Sequence, residues 1–212
     1  MTVRLWLVRH GETQSNIDGV FQGQLDTDLT ERGIRQASAV GEALRVIEFE
    51  AAFSSDLRRA ADTANQVLAG RSTSLTLDPR LRELHYGVLQ GISYNDFPRV
   101  LASHGIERDW GPGLFSETGM AAPEGESLQE MNARLTEFLS DLDRMIETDE
   151  VENVLLVSHG GTLRTLMTIL LELPLEARNA FTFANCSVSR VLRSDGSSRL
   201  ELHNAVYWEG CE

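Results

Sequence analysis

Two short apolar runs, one near each end of the chain, finish in the same way. VRLWLV, from Val3 to Val8, leads into Arg9-His10-Gly11, and NVLLVS, from Asn153 to Ser158, leads into His159-Gly160-Gly161. A run that is apolar at nearly every successive position leaves no face for water. Each therefore reads as a β-strand covered on both sides, the mark of a parallel sheet between helices. The rest of the chain agrees with that frame. Thr30 opens a helical pattern with Ile34, Ala37, Leu44 and Ile47 on one stripe. Ala51 to Ser54 and Leu75 to Leu77 read as short strands, with a helix between them from Leu57 to Leu68. Ser127-Leu-Gln-Glu130 is a capping box for a helix expected to reach about Ile146. An apolar helix follows from Thr162 to Leu173, and Val188 to Leu192 and Leu200 to Trp208 read as closing strands. Alternating strands and helices over 212 residues predict one α/β domain spanning 1–212, a three-layer α/β/α sandwich around a mostly parallel sheet.

One segment resists this reading. From about residue 92 to 126 the chain shows no sustained period. It carries Pro98, Pro112 and Pro123 together with Gly105, Gly111, Gly113 and Gly119. So long an irregular stretch within a compact domain is expected to be a lid-like insertion.

Charge and residue usage exclude several classes of function. The formal net charge is -13, from 19 basic and 32 acidic residues, with no basic stripe. Nucleic acid and anionic membranes are therefore excluded as expected partners. All the basic residues are arginine. A chain without lysine has no Walker-A lysine, no kinase strand lysine and no Schiff base to pyridoxal phosphate. Two cysteines, Cys186 and Cys211, are too few for a disulfide scaffold or a four-thiolate zinc site. Nothing approaches the roughly 18 consecutive apolar residues of a membrane span, and the N-terminus lacks the pattern of a signal peptide. The expected location is the cytoplasm.

In open α/β sheets, ligands bind beyond the carboxyl ends of the strands. His10 and His159 should therefore meet in one crevice. Phe53-Ser-Ser-Asp-Leu-Arg58-Arg59-Ala brings two arginines to that edge, and Leu81-Arg-Glu83-Leu-His-Tyr-Gly87 offers a carboxylate. These residue types suit phosphoryl transfer. Arginine forks hold a phosphate dianion. A neutral imidazole can attack phosphorus to give a covalent intermediate, and a carboxylic acid can protonate the leaving oxygen.

The four segments Arg9-His10-Gly11-Glu12-Thr13, Ser54 to Ala60, Leu81 to Gly87 and Ser158-His159-Gly160-Gly161 resemble, in order, the histidine phosphatase superfamily. This is the phosphoglycerate-mutase-like family, and the fold it implies is the one already expected. The resemblance implies His10 as the phosphorylated nucleophile, with Arg9, Arg59 and His159 completing the phosphate pocket and Glu83 as general acid and base. It adds Asn16 as a phosphate hydrogen-bond donor, with Gln22, Gly23 and Gly160 lining the same mouth. Placement of the arginine directly before alanine favours Arg59 over Arg58. His85, His104 and His203 are expected to be structural or exposed.

Rival motifs are incomplete. His10-Gly-Glu12 fits the H-x-E of zinc deaminases, but no P-C-x-x-C accompanies it. His159-Gly-Gly lacks a G-x-S-x-G nucleophile elbow elsewhere. No metal and no cofactor are expected. The expected partner is a small phosphorylated metabolite, and the expected assembly a monomer or homodimer. Within the family, a phosphatase is favoured over a cofactor-dependent phosphoglycerate mutase, because the segment after Gly87 offers only Arg99 and Arg108 among Phe97, Trp110, Phe115 and Met120. Gln22-Gly-Gln-Leu-Asp-Thr also resembles phosphatase-branch loops. That lid composition predicts monoesters with at least one apolar or neutral portion. A catalytically idle phosphate-binding module is the third alternative.

Overall fold

Side chains alternate across strand β1 (Thr2–Arg9). Leu5 and Leu7 enter the core on one face, Trp6 and Val8 on the other, and all four are buried. Strand β4 (Asn153–Ser158) does the same, with Val154 and Leu156 on the first side and Leu155 and Val157 on the second. In the computed structural model, which describes residues 2–107, 121–148, 151–194 and 197–208, these two strands lie side by side and parallel. The sheet continues through β2 (Ala51–Ser54) and β3 (Leu75–Leu77) on one side and β5 (Val188–Ser194) and β6 (Ser197–Ala205) on the other, in the order β3-β2-β4-β1-β5-β6. The first four strands are parallel. β5 pairs antiparallel with β1, and β6 antiparallel with β5.

After the short helix α1 (Gln14–Asp18), which follows β1, helices cover both faces. α2 (Glu31–Ala43) and α3 (Arg58–Val67) bring Ala37, Val40, Ala60 and Ala64 against Trp6 and Val8. α5 (Leu128–Thr148) and α6 (Gly160–Leu170) bring Leu135, Phe138, Leu163 and Leu166 against Leu5 and Leu7. The expected three-layer α/β/α architecture is present, around a mixed sheet. Each fully buried Leu or Val contributes roughly 1.5–3 kcal/mol. Apolar burial on both faces of β1 and β4 offsets the cost of desolvating the histidines and arginines at their ends.

Several boundaries differ from the sequence reading, each for a physical reason. Ile34 is exposed, and the buried stripe of α2 is Gly33, Gln36, Ala37 and Val40. The loop at Glu12 passes so close that a Cβ on Gly33 would lie 2.2 Å from the Glu12 carbonyl oxygen, so the glycine turns inward and Ile34 out. α6 begins at Gly160, not Thr162. Trp208 lies beyond β6 and folds back, its indole N–H donating to Asn185 O at 2.9 Å. The Ser127 capping box forms, with Ser127 N donating to Glu130 Oε2 at 2.8 Å and Glu130 N donating to Ser127 Oγ at 3.2 Å.

The described residues of the irregular segment carry structure of their own. α4 (Phe97–Ser103) lies within it, too short to show a helical period. Leu101 and Ala122 pack with Leu89 into a small apolar cluster roofed by Phe21 and Phe97. Val88 N donates to Pro123 O at 3.0 Å, and a Cβ on Gly87 would sit 2.0 Å from that oxygen. Arg108, Trp110, Gly111, Pro112, Gly113, Phe115, Gly119, Met120 and Cys211 lie outside the described residues. Among the described residues, no helix is long and apolar enough to cross a membrane.

Candidate active site

The register of β1 on β4 pairs Arg9 with Ser158, so the next residue of each strand is a histidine. His10 N donates to Ser158 O at 2.9 Å, and the His10 and His159 rings stand 5.2 Å apart, centroid to centroid. Both imidazoles are buried. The Nδ1 of His10 lies 2.7 Å from the Gly11 carbonyl oxygen. A carbonyl can only accept, so Nδ1 carries the proton and Nε2 keeps its lone pair. Burial, and then the charges of Arg59 and Arg9, hold the His10 pKa well below its ordinary 6.5. A neutral imidazole with a free Nε2 is the form a nucleophile needs.

His159 is held by Ser55, whose hydroxyl is 2.8 Å from Nε2, and burial followed by the charge of Arg59 keeps its pKa well below 6.5 as well. Unfolded, the two histidines take up protons that the folded state refuses. Stability is therefore complete above about pH 6.5 and falls as the pH drops below it, by up to about 1.4 kcal/mol per pH unit for each histidine. Denaturant unfolding from pH 7.5 to pH 5 should show this decline, and the double variant His10→Asn/His159→Asn should show a shallower one. An equal slope in both proteins would remove the buried neutral pair as its source.

Arg9 and Arg59 flank the histidines. Arg9 Nη1 donates to Phe183 O at 2.6 Å, and Arg59 donates to Leu25 O and Gly23 O at 2.8 and 2.7 Å. Burial draws the Arg59 pKa down to about 10, so it remains cationic near neutrality, and burial lowers the Arg9 pKa as well. The Nε–H of each is buried without an acceptor. Arg58, by contrast, points to solvent and pairs with Asp28 at 2.8 Å, and it is Arg59 that lines the cavity.

Asn16 and Gln22 present their amide N–H groups by elimination. Asn16 Oδ1 accepts from Thr13 N and Asn185 Nδ2, at 3.2 and 3.1 Å. Gln22 Oε1 is bracketed by the hydroxyls of Thr13 and Thr27 at 3.0 and 2.7 Å. With both oxygens engaged, each NH2 is free to donate. Asn16, Gln22, Gly23, Glu83 and Gly160 line one cavity of about 420 Å³ with Arg9, His10 and Arg59. The structure thus brings together every residue named from the sequence, with His159 beneath His10.

Glu83 is seated on the first turn of α6. Its Oε2 accepts from Gly161 N at 2.9 Å, and its Oε1 from Leu84 N at 2.9 Å. Arg80 and Arg82, its sequence neighbours, pair instead with Asp78 and Asp56. A Cβ on Gly161 would lie 2.4 Å from Glu83 Oε1. Gly161→Ala should therefore displace the carboxylate and lower kcat by about 10²-fold, although alanine favours a helix over glycine. Unchanged turnover with raised thermal stability would show that Gly161 serves only the helix.

Sequence reasoning missed Arg164, Arg178, Asn179, Tyr86 and Tyr94, which also line the cavity. Arg164 could have been found from its spacing, because Gly160 and Arg164 share one face of α6 at i, i+4. Arg178 and Asn179 come from the turn Leu175–Ala180, which has no such periodicity. His85 accepts from Gly87 N at 3.1 Å, His104 is exposed, and His203 packs edge-on to Phe183, bonded to Ser189 Oγ.

The fold and cavity define a phosphoryl-transfer protein of the α/β class. Residues 5–206 match the model of the histidine phosphatase superfamily (branch 1), and the chain belongs to that family. It is 38% identical over 191 residues to the Erwinia tasmaniensis protein named "Probable phosphoglycerate mutase GpmB", covering 89% of this chain and 84% of that protein. Among solved structures, it resembles the alpha-ribazole phosphatase from Shigella flexneri at TM-score 0.84 and 30% identity, over 96% of each chain. It also resembles a mycobacterial glucosyl-3-phosphoglycerate phosphatase complexed with VO3, at TM-score 0.82 and 33% identity, over 96% of this chain and 99% of that one. Both of these neighbours are named as phosphatases.

Proposed function

We propose that the protein hydrolyses small phosphomonoesters through a phosphohistidine at His10. The observation that carries this reading is the neutral His10, fixed by Gly11 O in the tautomer with Nε2 unprotonated, inside a cavity walled by arginine. Arg9, Arg59, Asn16 and Gln22 hold the phosphate oxygens. Nε2 attacks phosphorus, the P–O bond to the leaving group breaks, and Glu83 gives that oxygen its proton. Water then attacks the phosphorus, returns a proton to Glu83 and breaks the P–N bond, restoring neutral His10. His159, close beside the His10 ring, stabilises charge on the transferring group. Complete retention of this set argues against an idle binding module.

The balance between hydrolysis and mutase chemistry needs one correction. Besides Arg99 and Arg108 of the segment after Gly87, Arg164 and Arg178 supply cations, reaching the cavity from α6 and the turn after it. A scarcity of basic residues in the lid therefore no longer excludes a doubly anionic substrate. Hydrolysis is supported instead by the phosphatases among the structural neighbours, and the mutase reading by the names of the sequence relatives. Metal independence is supported by arginines standing where a cation would neutralise phosphate, and the cytoplasm is the compartment where phosphorylated metabolites are met.

One assay tests these points together. Incubated with 3-phosphoglycerate and a trace of bisphosphoglycerate, with and without a chelator, the protein should release inorganic phosphate equally in both. Formation of 2-phosphoglycerate faster than phosphate would establish the mutase. Loss of activity to the chelator, restored by magnesium or zinc, would overturn the arginine-based mechanism.

A further inference from the structure

In a chain with so large an excess of carboxylates, an arginine without one is unusual. Among the described residues, only Arg4 and Arg71 share that condition with Arg9, Arg59, Arg164 and Arg178; the other arginines all stand within ion-pair distance of an Asp or Glu. The four thus set apart line the same cavity. Arg9 and Arg59 lie beside His10 and match the charge of one phosphate dianion. The charge of Glu83 reaches Arg178, but it acts on Arg9 and Arg59 as well, so one carboxylate is shared among the cavity's cations and Arg164 and Arg178 have none of their own.

Their placement is built, not incidental. Arg164 sits one turn along α6 from Gly160 and Gly161, and helical side chains lean toward the helix N-terminus, which carries it back over the cavity floor. Its Nε–H is buried without an acceptor, and no hydrogen bond or ion pair holds its guanidinium among the described residues. Arg178 is buried and fixed from below, donating to Thr165 Oγ at 3.3 Å and Gly161 O at 3.2 Å, while Arg164 lies close enough to repel its charge. Asn179 lines the wall beside it. Two cations held close together with no anion between them form a costly arrangement, which a bound anion relieves.

We infer that Arg164 and Arg178 form a second anion subsite, and that the preferred substrates are phosphomonoesters bearing a second anionic group, a carboxylate or another phosphate, on the leaving-group side. This rests on the phosphatase reading above, and it replaces the expectation of a neutral or apolar substrate portion.

The test compares 3-phosphoglycerate with glycerol 3-phosphate, which differ only in a carboxylate against a hydroxymethyl group. Glycerol 1,3-bisphosphate provides the phosphate arm, and p-nitrophenyl phosphate reports bare phosphatase activity. A charge-assisted, bidentate contact predicts kcat/KM at least roughly tenfold higher for one of the anionic compounds than for glycerol 3-phosphate. Which compound it is identifies the group. Arg164→Gln should remove most of that preference, Arg164→Lys should keep part of it, and the loss should fall more heavily on the anionic substrate than on glycerol 3-phosphate. Equal kcat/KM across the three, with p-nitrophenyl phosphate hydrolysed, overturns the subsite and leaves the phosphatase standing. A preference that survives Arg164→Gln overturns the assigned residues. Failure to hydrolyse any of the four overturns the phosphatase reading, and the subsite with it.

Discussion

His10→Ala is expected to lower kcat by roughly four orders of magnitude or more, because the covalent route disappears with the nucleophile. The fold should survive. His10 is held through its backbone by Ser158, Cys186 and Asn185, and none of those bonds needs the imidazole. Unfolding curves for the variant should therefore stay cooperative. The intermediate itself is separable by its chemistry. Enzyme quenched in alkali during turnover of a labelled phosphomonoester should retain the label, as a phosphoramidate does, and acid quenching should release it. Near-normal turnover by the variant, or an acid-stable label, would sink the assignment of His10.

Glu83→Gln is the second large effect. An amide has one acceptor oxygen, so it keeps the bond from Gly161 N or from Leu84 N but not both, and unfolding curves for the variant are read beside kcat to separate lost seating from lost proton chemistry. For alkyl phosphates, whose leaving oxygen must be protonated as it departs, kcat should fall about 10²–10⁴-fold. Aryl phosphates leave with little help and should lose much less in the first step. Equal losses for both kinds of ester would mean that Glu83 acts by charge or position, not by proton transfer.

Much of the molecule was legible because the signals were local. VRLWLV, broken only by Arg4, and the VLLV of NVLLVS are apolar at successive positions, as a strand buried on both faces is. The capping box at Ser127 needs four consecutive residues to be read, and it forms as expected. Where a signal depended on distant chain, the reading slipped. Ile34 lies one position from the buried stripe of α2, and nothing in its own helix shows that the Glu12 loop requires the inward glycine at Gly33. α4 is shorter than two helical turns, so its periodicity cannot be distinguished from chance. The amide orientations of Asn16 and Gln22 depend on Thr13, Thr27 and Asn185, contacts made across the fold.

By itself the sequence determined the chemistry on offer. It supplied two histidines at strand ends, arginine as the sole basic residue and one carboxylate in a recognisable setting. Those follow from composition and short-range order, which need no knowledge of neighbours. Only the tertiary structure decided how these groups are tuned and what surrounds them. The parallel register of β1 on β4 places the two imidazoles side by side, and burial beside Arg9 and Arg59 makes them neutral. The packing of the turn Leu175–Ala180 against α6 brings Arg178 to Arg164 and adds two cations to the pair that flanks His10. Protonation and charge balance depend on distance and desolvation, and both are properties of the folded chain.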